Sequence, residues 1–176
     1  IDGIYYKYTD DGSALKVVRG YKPYRGTVEI PATINGLPVT EVDGLAMYAC
    51  YYLKELVIGD NVKKCGHEAF GASINLCNVT LPVADVEFTH NWMFNCDRGI
   101  REMHCRSSIP YVVDEGIFNG AVDYDKCILY VPVGTKQSYA NSEVWKNFTH
   151  IVEENVSTNI SNINVEKKSV WHTLQG

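Results

Sequence analysis

Leu53-Lys54-Glu55-Leu56-Val57-Ile58 sets an apolar spacing, Leu53-x-x-Leu56-x-Ile58, that returns as Leu76-x-x-Val79-x-Leu81 and as Ile100-x-x-Met103-x-Cys105. Around it runs a longer phrase, a short strand followed by a turn with a large apolar anchor. The strands read Val28-Glu29-Ile30-Pro31, Leu56-Val57-Ile58-Gly59, Val79-Thr80-Leu81-Pro82, Met103-His104-Cys105-Arg106 and Leu129-Tyr130-Val131-Pro132. The anchors are Met47, Phe70, Met93 and Phe118, with Cys50, Ser73, Cys96 and Ala121 three residues on. A fixed period of this length means stacked units that share one continuous core, a solenoid.

The phrase also assigns faces. Side chains alternate along a strand, so a residue between two inward neighbours points to solvent. Those residues are Glu29, Val57, Thr80, His104 and Tyr130, and the preceding outward position holds Thr27, Glu55, Asn78, Glu102 and Ile128. Parallel stacking would align them as two columns with a rung about every 4.8 Å. Solenoids bind through such surfaces, which makes these residues the candidate site; the plainer account is that they only solvate the sheet. A second apolar column is expected at Val42, Cys65, Phe88 and Val113.

The ends depart from the period. Ile4-Tyr5-Tyr6-Lys7-Tyr8 and Ala14-Leu15-Lys16-Val17-Val18 flank the turn-rich Thr9-Asp10-Asp11-Gly12-Ser13, the pattern of a β-hairpin. Residues 1–25 therefore read as the cap on the first open end of the solenoid, and 26–125 as its repeats. Residues 126–154 read as a closing repeat and cap: Thr135 as N-cap of a short helix, Tyr139 on its buried face, Trp145 and Phe148 supplying apolar area, and Ile151 and Val152 finishing it. From Asn155 the chain turns polar and low in complexity. Residues 155–176 read as a linker and the start of a truncated β-module, with Ile163-Asn164-Val165-Glu166 alternating like an edge strand.

The chain carries 16 Lys and Arg against 21 Asp and Glu, a net charge of -5. That balance argues against nucleic acid as a partner, which requires a clustered basic surface. No apolar run reaches the length of a membrane span. The opening Ile1-Asp2-Gly3, with no initiator Met and no apolar leader, reads as that of a mature or trimmed chain, any signal peptide lying outside this numbering.

Six cysteines, Cys50, Cys65, Cys77, Cys96, Cys105 and Cys127, raise the question of disulfides. Cys50 and Cys96 share a repeat position with Ser73 and Ala121, and Cys105 takes an inward strand position held elsewhere by Ile30, Ile58, Leu81 and Val131. They read mostly as reduced packing residues.

Val28-Glu29-Ile30-Pro31, Gly66-His67-Glu68-Ala69-Phe70 and Leu129-Tyr130-Val131-Pro132-Val133-Gly134-Thr135 resemble the BspA-like leucine-rich repeats of bacterial surface and secreted proteins. The resemblance covers roughly residues 26–154, and Val144-Trp145-Lys146-Asn147-Phe148 is similar to the family's terminal unit. Departures are Met47 and Met93 in place of Phe, Trp92 in place of Ala, and a missing proline at Arg106. The tail from Val170 to Gly176 is similar to the opening of the sorting modules such bacteria append to exported proteins. The resemblance implies an α/β leucine-rich-repeat solenoid with one parallel β-strand per repeat, an N-terminal hairpin cap and a short C-terminal helical cap. It further implies secretion or cell-surface display and an adhesin-like role, binding a protein or glycan of host or matrix, with neither catalysis nor cofactor. The rival is a structural spacer that displays another domain and has no ligand of its own.

Residues that could carry other chemistry have plainer accounts. Cys65-Gly66-His67 is a tight Cys/His pair, but zinc needs three or four convergent ligands and the rest are not supplied nearby. His104 and Cys105 are strand neighbours and so point to opposite faces; His90 and Cys96 are the other pairing of the two residue types. Asp10-Asp11-Gly12, Asp114-Glu115 and Asp123-Tyr124-Asp125 read as solvated turns and form no twelve-residue calcium loop. Tyr5, Tyr6, Tyr8, Tyr21, Tyr24, Tyr48, Tyr51 and Tyr52 crowd the first third, where such rings either cover the cap or offer rigid contact area, including for sugar rings.

Overall fold

Short apolar strands interrupted by turns cannot cover themselves, so they stack. A computed structural model shows how; it describes residues 3–89, 92–96, 99–156 and 162–163. In chain order the elements are β1 (Tyr6–Tyr8), β2 (Leu15–Val17), β3 (Arg25–Glu29), β4 (Thr33–Ile34), β5 (Leu37–Val42), β6 (Tyr52–Val57) and β7 (Lys64–Cys65). There follow β8 (Asn78–Leu81), β9 (Glu87–Phe88), β10 (Glu102–Cys105), β11 (Ile128–Pro132), α1 (Lys136–Ala140), β12 (His150–Glu154) and β13 (Asn162–Ile163).

The fold is a solenoid of about six turns. Its main sheet has six strands in the order β12-β11-β10-β8-β6-β3, and every pair in it is parallel. Along the opposite side β2, β5, β7 and β9 stack in parallel; Val42, Cys65 and Phe88 are in register as expected, Val17 joins their column, and Val113, expected to continue it, packs against the core but lies in no strand. Leu56, Val79, Met103 and Leu129 fill the space between the two sheets and are fully buried. Gly59 stands where Pro31 and Pro82 end other strands, and a Cβ there would meet the Ile30 carbonyl oxygen at 2.5 Å. Successive coils touch too closely at that point for a side chain.

The anchor turns stack through their own backbone. Met47 N–H donates to Ala69 O, Ala72 N–H to Asn95 O, and Phe94 N–H to Ile117 O. This register aligns Met47, Phe70, Phe94 and Phe118. Phe94 therefore occupies the rung expected for Met93: its ring stacks on Phe70 at 5.4 Å and on Phe118 at 5.9 Å. Met93 is fully buried beside it. Cys96 still sits with Ser73, because the Ser73 hydroxyl donates to Met47 O and the Cys96 thiol to Phe70 O one turn on. The turn is thus one residue shorter between anchor and Cys96, a slip that leaves both columns filled.

β1 and β2 form the antiparallel hairpin cap, which extends the second sheet. A further hairpin joins β4 to β5 through Asn35-Gly36, at φ +50° and +82°. Those left-handed values are the ones a two-residue turn of type I′ demands, and Asn-Gly is its preferred pair. β13 pairs with β4 in parallel; the rest of the tail expected from residue 155 on lies outside the described residues beyond Val156.

The closing unit differs from expectation in two ways. Thr135 occupies the N-cap position, but its hydroxyl donates to Pro132 O at 2.7 Å; the exposed N–H groups of Gly134 and Lys136 are taken instead by Glu153 at 2.9 and 3.1 Å. Ile151 and Val152 do not merely finish the cap but belong to β12, a sixth rung of the main sheet. Trp145 is fully buried, stacks on Phe148 at 6.0 Å and donates from Nε1 to Tyr111 O at 2.8 Å. With Phe118 edge-on at 5.6 Å it ends the ring column begun at Phe70.

Candidate binding face

Parallel pairing without a slip is what turns a repeat into a surface. The register runs Glu29, Val57, Thr80, His104, Tyr130, Val152 in one line and Thr27, Glu55, Asn78, Glu102, Ile128, His150 in the other. All ten outward residues read from the sequence thus fall in the two expected columns. Glu29, Thr27 and Glu55 are exposed, whereas Val57, Thr80, His104, Tyr130, Asn78, Glu102 and Ile128 are half-buried by one another. One irregularity, a bulge at Gly26/Thr27, makes Lys54 an extra residue in β6.

Cross-strand contacts organise the face. Thr27 Oγ1 donates to Glu55 Oε2 at 2.8 Å, and Asn78 Nδ2 donates to Glu102 Oε2 at 3.0 Å. The His104 ring lies flat on Tyr130, centroids 4.5 Å apart and planes within 6°. Its Nδ1 is 2.8 Å from Glu154 Oε1 and its Nε2 is 3.9 Å from Glu102 Oε2. The Arg25 guanidinium sits 4.5 Å over the Tyr52 ring at the other end. Such stacks immobilise large side chains before any partner arrives, which lowers the entropy a partner must overcome. Glu154, Val152, His150, Arg25 and Tyr52 were missed in the sequence. The first three sit in His150-Ile151-Val152-Glu153-Glu154, whose alternation is a strand signal without the closing proline.

The residues with other potential chemistry are dispersed. Cys65 is fully buried while His67 is exposed and 3.1 Å from Glu68, so the pair does not converge. Cys105 points into the core, away from His104; His90 lies outside the described residues. Among the described residues no three His, Cys, Asp or Glu side chains gather as a metal site. Asp11 accepts from Thr9 Oγ1 and from Ser13 N and Oγ, and these bonds hold its carboxyl down at about 2. Asp123 pairs with Lys126 at 3.0 Å. No helix among the described residues is long and apolar enough to cross a membrane.

All six cysteines are free thiols. Burial pushes the thiols of Cys96 and Cys127 up to about 12, and those of Cys50, Cys65 and Cys105 upward as well. A thiol that stays protonated is a poor nucleophile. Cys77 is the exception in exposure, being only half-buried. Iodoacetamide at pH 8 should therefore modify the native protein at Cys77 alone within minutes, and all six positions only in denaturant; rapid native labelling of Cys105 would contradict the packing described.

No family model matches the chain, and no curated protein does. Solved structures do. A leucine-rich repeat protein of T. pallidum aligns over 92% of this chain and 83% of its own, at 19% identity and a TM-score of 0.55. The pneumococcal vaccine antigen PcpA covers 89% of this chain at 15% identity, with 47% of its own length and a TM-score of 0.43. A leucine-rich cell surface protein of Faecalibacterium prausnitzii gives 89%, 54%, 15% and a TM-score of 0.27. The first of these likenesses carries the fold: the chain has the leucine-rich-repeat solenoid architecture.

Proposed function

We propose that this chain is a non-catalytic recognition module of a secreted or surface-displayed protein, binding an extended protein or glycan partner across the strand face. The observation that carries the reading is the unbroken register of the two outward columns over six parallel strands. A flat array of that kind, with rings and carboxylates already fixed in place, offers many weak contacts to one partner and encloses no reacting group. The BspA-like repeat pattern supports export and an adhesin-like role. A host or matrix protein, or a glycan, is the partner class that fits such a surface.

The test is a protein and glycan array followed by titration of any hit. The double variant His104→Ala/Tyr130→Ala removes the stacked pair at the centre of the face and should weaken a specific partner about tenfold or more. An array with no specific hit would favour the spacer reading. A hit whose affinity the double variant leaves unchanged would remove the strand face as its site.

A further inference from the structure

The N-terminal end of the molecule differs in chemistry from the acidic chain that bears it. Two adjoining hollows of about 160 and 290 Å³ share Lys22, Pro23 and Tyr24. Arg19, Tyr21 and Tyr48 line the first, and Tyr5, Arg25 and Thr27 line the second. Among the described residues no carboxylate lines either hollow, although the whole chain carries a net charge of -5. Arg19, Lys22 and Arg25 are all exposed, so the three cations meet solvent rather than the core.

Tyr24 and Tyr5 are tied to the cap, and Tyr21 leans on Tyr5. Tyr24 Oη donates to Val18 O at 2.8 Å and accepts from Tyr5 N at 3.2 Å. The Tyr5 ring stands edge-on to Tyr21 at 5.8 Å and to Tyr24 at 6.3 Å. Tyr5 lies directly over Gly20, where a Cβ would come within 2.3 Å of the ring. Tyr21 is nonetheless 84% exposed. An exposed ring resting edge-to-face on another offers its own face to an apolar ring face. β3 runs alongside as the terminal strand of the main sheet, and its Arg25, Thr27 and Val28 line the larger hollow.

We infer that this end binds an anionic saccharide, one bearing carboxylate or sulfate groups. Tyrosine faces stack against the C–H face of a sugar ring, and the guanidinium and ammonium groups take the anionic substituents. Together the hollows reach the lower part of the size range of small-ligand sites. A nucleic acid fits less well: three cations on an acidic chain cannot neutralise a long phosphate backbone. The site lies apart from the centre of the strand face and does not depend on that face binding anything.

Calorimetric titration of the intact chain at low salt tests this with four probes: a sulfated hexasaccharide, a uronic-acid hexasaccharide, a neutral glucose hexasaccharide and inorganic sulfate. One or both anionic hexasaccharides should bind at least about tenfold more tightly than the neutral one and than sulfate, and which of them binds identifies the anionic group. Tyr21→Ser should weaken that binding about tenfold, and Lys22→Glu and Arg19→Ala about fivefold or more, each with an unchanged thermal midpoint because all three side chains are exposed. No binding of either anionic hexasaccharide would overturn the inference. So would binding indifferent to Tyr21→Ser, which would reduce the effect to diffuse charge attraction.

Discussion

Phe94→Ala is expected to destabilise the protein by about 4 kcal/mol, enough to unfold a domain of ordinary stability or leave it marginal. The residue is fully buried and its ring is stacked on both sides, on Phe70 and Phe118. Truncation removes the transfer energy of the ring, leaves a cavity in the middle of the column and breaks two ring pairs worth about 1 kcal/mol each beyond burial. Neighbouring coils are tied through backbone bonds on either side, at Ala72 N–H to Asn95 O and Phe94 N–H to Ile117 O, so the column cannot collapse to fill the gap. Phe94→Leu should recover roughly half of the loss. Chemical denaturation with both variants measures it; a Phe94→Ala cost below about 1.5 kcal/mol would mean that the ring column does not run through this residue.

The second large effect concerns Arg106. It stands where Pro82 and Pro132 end neighbouring strands, so replacing it with proline looks like a repair of the repeat. The structure predicts the opposite. The Arg106 side chain is 5% exposed, donates from Nε to Leu81 O at 3.0 Å and pairs through its terminal amine with Asp60 two rungs away. Asp60 also accepts from Val83 N–H at 2.9 Å, so one carboxylate fastens two loops. Removing the guanidinium strands a carboxylate and a carbonyl. The cost is about 3 kcal/mol, at the lower end for a buried pair because Asp60 keeps 30% exposure. Arg106→Pro and Arg106→Ala should both lower the thermal midpoint by several degrees. A midpoint raised by Arg106→Pro would show that the arginine is a tolerated departure and not a tie between coils.

Most of this architecture was legible in the chain because period-two strands and a 23-residue repeat state their own faces. The outward columns from Thr27 to Tyr130 follow from alternation alone, and no tertiary knowledge was required. Three features were not so plain. Met93 and Phe94 are adjacent, both large and both apolar, and a count of residues prefers the one that keeps the period; only the backbone register of the turn favours Phe94. Asn35-Gly36 carried a strong hairpin signal that the repeat pattern obscured, since it falls inside a unit. β12 lacks the terminal proline of its neighbours and follows a helix, so His150–Glu154 looked like the end of a cap rather than a sixth rung. The partner is legible nowhere in the repeat, because packing residues set the scaffold while exposed ones follow no general code.

The central claim is that the outward positions of the coils form one continuous line. Nitroxide labels at Glu29→Cys and Val152→Cys, in a chain with Cys77→Ser to silence the accessible thiol, measure it by pulsed electron-electron resonance. Five rungs at strand spacing place the two backbones about 24 Å apart, and a single narrow distance distribution between about 2 and 3.5 nm is expected. A broad distribution, or a maximum beyond about 4 nm, would contradict the line and with it the surface on which the proposed recognition depends.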